Sequence, residues 1–364
     1  MKIKNEQDKY IDLHDLMIEK GASDLYLTYG EHPTLRINNQ LFKVDQLPQM
    51  DDDMLNEIRS NLVKPEYAEY FTKNLSLDRG ISHNGRRFRI NISKQQGHIM
   101  VVSRLLMDTP PSIDELGLPP IFKELASKTS GIILIAGPTG SGKSTTLASI
   151  LQEINTNYSK HIITIEDPIE YKFKPAKSII EQKELGKDIV SFSGSLKYTL
   201  RQRPDVILFG EIRDLDGIRN ALLLAETGHL LLASIHARSS IQTINKIIGS
   251  FPSEQQNQIR TQLSENLIAI VSQKLLRTKN NKSMFAVQEI MINNTAVSNI
   301  IRENKMNMLN NTISTNKKYG MQLLEEELID LVAGDKINIS EAIDNANDPI
   351  YLQKELINRG ILKN

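Results

Sequence analysis

The stretch GPTGSGKST, residues 137–145, constrains this chain more than any other. It follows the apolar run IILIA and opens the helix-patterned STTLASILQEI, so the form G-x-x-x-x-G-K-[ST] stands in the strand-loop-helix context it requires. Gly137, Pro138, Thr139, Gly140, Ser141 and Gly142 would form a loop whose amide N–H groups turn inward around phosphate oxygens, helped by the helix N-terminus. Lys143 can then reach the β and γ phosphates, Ser144 can ligate magnesium, and Thr145 continues the helix start. A loop of this kind commits the chain to an α/β fold.

The apolar runs agree. GIILIA (131–136), HIITIE (161–166), DVILF (205–209) and HLLLASI (229–235) show no polar alternation. Strands buried on both faces read this way, so a parallel sheet flanked by helices is predicted. Ahead of it, DLYLT, TLRIN and RFRINI alternate with period two, as half-buried strands do. MDTPPSIDELGLPP, residues 107–120, carries four prolines and reads as a semi-rigid connector. Beyond SMFAVQEIMI the period is helical, in NTAVSNIIRENK, GMQLLEEELIDLV and DPIYLQKELINRG. The expected division is an N-terminal α+β domain over 1–107, a linker over 108–120, a phosphate-loop core over 121–292 and a helical region over 293–364.

Ligands of open α/β sheets bind at the C-terminal ends of the strands, which singles out the acids there. DVILF runs into Gly210-Glu211, where many phosphate-loop ATPases carry Asp-Glu. Glu211 can orient or deprotonate an attacking water, or merely pair with Arg213. HIITI is followed by Glu166, Asp167 and Glu170; Glu166 is the candidate to replace the missing acid, through a magnesium-bound water. His229 and His236 begin and end a single strand, and an imidazole near the γ-phosphate could donate a hydrogen bond.

Composition removes other classes. Lys+Arg and Asp+Glu are both 44 and aromatics are 5%, so nothing here suits a nucleic-acid translocase, which needs a basic, aromatic strip. There is no cysteine, which excludes disulfides and thiolate zinc sites and fits a reducing cytoplasm. No apolar run approaches a membrane span, so work at a membrane would require docking there.

GPTGSGKST, TIEDPIE, TLRQRPDVILFGEIRD and AETGHLLLASIHA, in that order, resemble the PilT/PilU retraction ATPases of type IV pili. The resemblance continues in QIRTQLSENLIAIVSQKLL and YGMQLLEEELIDL, and at the front in EKGASDLYLT and GRRFRINI. It implies a PAS-like N-terminal domain, a RecA-like ATPase domain with C-terminal helices, and a cytoplasmic homo-hexamer peripheral to a bacterial inner membrane. It further implies ATP and Mg2+ as cofactors, Glu211 as catalytic base, a histidine box from Gly228 to His236, and a Gly-Glu strand ending as the family norm. Arg87, Arg89 and Arg104 match arginines that approach nucleotide phosphates from the N-terminal domain in that family. The implied partners are a membrane platform protein and a paralogous retraction ATPase. Ser298 stands where PilT has arginine, and IHA at 235–237 is nearer PilU, so principal motor and accessory paralogue both stay open. An ATPase of conjugation-type secretion and a weakly hydrolysing scaffold are the other readings; the absence of cysteine argues against the extension ATPases with their four-cysteine zinc motif.

Overall fold

The computed structural model describes residues 1–4, 10–37, 40–106, 109–279 and 284–362. Met107 and Asp108, at the start of the expected linker, lie outside the described residues. The chain divides into two units, one of 1–109 with 167–172 and one of 110–166 with 173–364.

The first unit begins with a short antiparallel pair, β1 (Lys2–Lys4) and β2 (Tyr10–Asp12), and helix α1 (Leu13–Glu19). Strands β3 (Asp24–Leu27), β4 (Thr34–Ile37) and β5 (Gln40–Lys43), helices α2 (Asp52–Leu62) and α3 (Pro65–Asn74), and strands β6 (Ser76–His83), β7 (Arg86–Gln95) and β8 (His98–Leu106) complete it. Its antiparallel sheet has the order β5-β4-β3-β8-β7-β6. Period-two alternation gives each strand one apolar face. Leu25, Leu27, Phe88, Ile90, Ile92 and Val101 pack with Leu13, Met17, Leu55 and Ile58 of the helices to form the core. Asp12 and Asp51 start α1 and α2 by accepting from the amides of His14 and Met54.

The second unit contains α4 (Ile121–Ala126), β9 (Gly131–Ala136), α5 (Lys143–Asn157), β10 (His161–Glu166), β11 (Ile179–Glu184), α6 (Phe192–Arg201), β12 (Val206–Phe209), α7 (Leu215–Glu226), β13 (Leu230–Ile235), α8 (Ser240–Gly249), α9 (Ser253–Asn266), β14 (Leu267–Arg277) and β15 (Met284–Ile292). Helices α10 (Thr295–Arg302), α11 (Leu309–Thr315), α12 (Leu324–Ala333), α13 (Ile339–Asn345) and α14 (Pro349–Asn358) follow. The sheet order is β11-β10-β12-β13-β9-β14-β15. The α/β architecture is the one the apolar runs require: the four predicted strands β9, β10, β12 and β13 pair in parallel, and β15, outside those runs, returns antiparallel to β14.

Successive residues of the central strands feed two different cores, which is why the runs lack polar alternation. Ile132, Leu134, Ile163, Ile165, Ile207, Leu231 and Ala233 face one way, toward α7, α8 and α9. Ile133, Ile135, Ile162, Val206, Leu208, Leu230 and Leu232 face the other, toward α4 and α5. Ile113 and Leu118, from the proline-rich stretch, are buried in that second core, so this stretch is docked chain from Pro110 onward. The C-terminal helices α12 to α14 close over Leu276 and Val287 of the β14–β15 hairpin.

Candidate nucleotide site

Parallel strands share one C-terminal edge, and four of the central strands bring a candidate group to it. Strand β9 ends at Ala136 and passes into the loop 137–142, from which α5 rises at Lys143. Gly142, at the helix N-cap, provides no side chain for the first-turn amides, whereas Asp214 and Ser239 cap α7 and α8. Amides left this way are the donors a phosphate accepts from, with the helix dipole behind them. The Lys143 ammonium is buried and donates to the carbonyl oxygens of Gly137 (3.0 Å) and Pro138 (2.8 Å), so the loop curls around its cation.

Two strands away, β12 delivers Glu211. Its Oε2 accepts from Arg213 Nε at 2.8 Å, the pairing weighed from the sequence. Its Oε1 lies 2.7 Å from His236 Nε2 at the end of β13, so the imidazole proton facing it belongs on Nε2, because a carboxylate only accepts. The strands hold this pair in register: Ile212 N donates to Ser234 O, and the Ser234 hydroxyl donates to Gly210 O. Glu166, the last residue of β10, is half-buried, and its Oε1 accepts from Thr164 Oγ1 (2.6 Å) and Gln182 Nε2 (3.3 Å). Those two donors, which nothing in the sequence pattern announced, aim the carboxylate.

His229 does not join them. It precedes β13, and its carbonyl accepts from Gly131 N where β9 begins. A six-residue strand spans about 20 Å, which puts His229 at the opposite edge of the sheet from the loop of its own chain. Its Nδ1 sits 3.0 Å from Thr227 Oγ1 and 3.1 Å from Leu224 O, a closure of α7. Of the two candidate histidines, His236 thus stands at the strand edge that carries the phosphate loop of its own chain, and His229 at the other edge.

Within the first unit the arginines sort by strand geometry. Arg89 and Arg104 are directly paired across β7 and β8, and Arg87 lies two residues from Arg89, so all three share the sheet face opposite the core. Arg86 falls on the other face. Arg89 pairs with Asp78 (2.6 Å) and Glu170 (3.7 Å), Arg104 with Asp24 (2.7 Å), and the buried Arg87 donates toward Ile169 O (3.4 Å). Asp167–Lys172, the rest of the acidic turn after β10, thus belongs to this unit, while Glu166 stays with the large sheet. Ser298, in α10, lies 2.8 Å from Ser264 O and ties α10 to α9.

Comparison with known proteins gives the family and the fold. Residues 17–315 match the family described as "Type II/IV secretion system protein". The chain is 36% identical over 332 residues to the "Type IV pilus retractation ATPase PilT" of Pseudomonas aeruginosa, covering 91% of this chain and 96% of that one. It is also 36% identical over 337 residues to that organism's "Type IV pilus ATPase PilU", covering 92% and 88%. Among solved structures, "Crystal Structure of the Pilus Retraction Motor PilT and Bound ADP" superposes with a TM-score of 0.86 at 38% identity, covering 94% of this chain and 98% of that one. No helix among the described residues is long and apolar enough to cross a membrane.

Proposed function

The chain belongs to the type II/IV secretion system protein family, and from that premise we propose that it is an ATP-hydrolysing motor that powers type IV pilus retraction and twitching motility. The observation that carries the reading is the shared strand edge: an uncapped phosphate loop, a Glu211–His236 pair and Glu166 stand side by side on β9, β13, β12 and β10. Relatives named for retraction span nearly the whole chain, which extends the reading beyond ATP binding to the work done.

In this reading Gly137, Pro138, Thr139, Gly140, Ser141 and Gly142 wrap the phosphates of ATP. Lys143, Ser144 and Thr145 present charge and donors at the helix start. Ser144 and Glu166 offer the hydroxyl and carboxylate oxygens that a small hard cation prefers, and Mg2+ held there would offset phosphate charge. Glu211 orients the attacking water and takes its proton, with His236 next in line. Arg87, Arg89 and Arg104 are assigned to phosphate charge, for which a fixed guanidinium fork is suited. The proposed working form is a cytoplasmic homo-hexamer, docked on an inner-membrane platform protein whose pilin subunits it draws back.

The equal identity to PilT and PilU supports the accessory retraction ATPase as a second reading. Purified chain should release phosphate from ATP, lose this with Lys143→Ala, and form six-fold rings in particle images. Deletion in a piliated host should leave surface pili that no longer retract; retraction that persists there unless a paralogue is also removed selects the accessory role, and a wild type without turnover overturns the proposal.

A further inference from the structure

The motif QIRTQLSENLIAIVSQKLL contributes nothing to the strand edge described above, yet it contains Gln273, one of the most buried polar residues of the chain at 2% exposure. Strand β14 runs parallel to β9 with Ser272 opposite Ala136, so Gln273 comes level with the first residue of the phosphate loop. Its backbone and side chain then meet the loop at both ends. A Cβ at Gly137 would come within 2.4 Å of Gln273 O, and one at Gly142 within 2.9 Å of Gln273 Nε2. Between them, Gln273 Nε2 donates to Ser141 O at 2.6 Å, and Gln273 Oε1 accepts from Thr146 Oγ1 at 2.8 Å.

The sense of this arrangement is fixed by one atom. Ser141 O can only accept, so the amide NH2 of Gln273 must face it and the amide oxygen must face Thr146. The same oxygen accepts from Nε2 of the fully buried Gln288 on β15, 3.1 Å away. That leaves Gln288 Oε1 buried with no hydrogen-bond partner, as is the Ser141 hydroxyl. Orphaned buried polar atoms cost on the order of 1–3 kcal/mol each and call for an explanation. Holding the Gln288 amide inward, toward Gln273, supplies one. The line continues outward, since Gln288 N donates to Glu327 of α12, which also accepts from Gln322 Nε2.

We infer that Gln273 is the positioning residue of the phosphate loop: it clamps the Ser141 peptide and the Thr146 hydroxyl so that the loop is preshaped for nucleotide, and Gln288 ties that clamp to the C-terminal helices. The inference rests on the loop being an ATP site. A preorganised loop binds more tightly because the ordering cost is met before the ligand arrives.

The test uses full-length protein and N-methylanthraniloyl-ATP as the probe. The wild type is measured first; no binding by it would remove the nucleotide reading itself rather than this one. Gln273→Leu, close in volume, is expected to raise Kd for the probe and KM for ATP at least tenfold, with kcat changed less than threefold. Thr146→Val opens the clamp from the loop side with the side-chain shape kept, and guards against the first variant failing to fold. It should raise KM in the same direction, and the double variant should show little more than the larger single effect, because both remove one interaction. Unchanged KM with a lowered melting temperature, or single effects that multiply in the double variant, would overturn the assignment.

Discussion

Glu211 and His236 face each other across the C-terminal edge of the large sheet, with 2.7 Å between Oε1 and Nε2. The other carboxylate oxygen holds Arg213 at 2.8 Å, so the acid is aimed by two partners, one in its own turn after β12 and one just past the end of β13. The proposed role as base requires one of these contacts to be released. Glu211→Gln retains an oxygen acceptor for either partner while removing the base. Phosphate release should fall by about a hundredfold or more with probe affinity within threefold of wild type. Equal turnover in the two proteins assigns Glu211 to structure alone.

The two histidines of β13 should separate by readout. His236→Asn removes the imidazole beside Glu211 and is expected to lower kcat by about a hundredfold, the low end of the range typical of a proton-handling group. His229→Asn loosens the closure of α7 at Thr227 and Leu224, worth about 1 kcal/mol, and should shift the melting temperature by a few degrees while leaving nucleotide affinity alone. A weakened affinity in the His229 variant would contradict its placement at the far edge.

Gly142 has φ of +83°, a conformation that costs an ordinary residue about 1 kcal/mol or more. An added methyl would also crowd the clamped Gln273 amide, 2.9 Å away. Gly142→Ala is therefore expected to weaken probe binding more than tenfold, with the far-ultraviolet circular dichroism of the wild type. Full affinity in that variant would show that the loop tolerates reshaping.

The two units should respond to pH with opposite sign. Burial against Phe88 and Ser103 pushes His14 down from 6.5 to about 3, outweighing the nearby Asp12 and Asp15, so the folded first unit resists protonation. Its contribution is present above pH 6.5 and is lost as pH falls toward 3. Burial likewise pushes Glu327 up from 4.5 to about 7, against the Gln288 amide that favours its charge. Its contribution is present below pH 4.5 and is lost as pH rises through 7, on the order of 3 kcal/mol at about 1.4 kcal/mol per pH unit. Hydrogen exchange followed by peptide mass should show α12–α14 opening more readily at pH 8 than at pH 5, and Glu327→Gln should remove that difference. Strands β7 and β8 should show the reverse trend below pH 6, flattened by His14→Gln.

What was legible in the sequence followed from local rules. The phosphate loop announces itself because glycine, lysine and serine at fixed spacing have few other uses, and β9, β10, β12 and β13 announce themselves because burial on two faces erases alternation. Strand β11, with glutamates at 181 and 184, lies at the sheet edge and carries only two apolar residues to mark it. Strand β14 mixes Ser272, Gln273 and Lys274 into an apolar run, so its place beside β9 depends on partners more than a hundred residues away. Gln273 was invisible for the same reason. Which of the arginines share a face was not legible either: the register of β7 with β8 groups Arg87, Arg89 and Arg104 and sets Arg86 apart.

A Cβ on Gly80 would lie 2.2 Å from an Arg87 guanidinium nitrogen, while the Gly80 backbone is not in the left-handed region and would itself accept any residue. The Arg87 guanidinium, then, is what occupies the space a side chain at position 80 would need. A side chain at position 80 would displace the Arg87 guanidinium, so substitutions at these two positions are expected to be non-additive, with Gly80→Ala harmless once Arg87 is shortened.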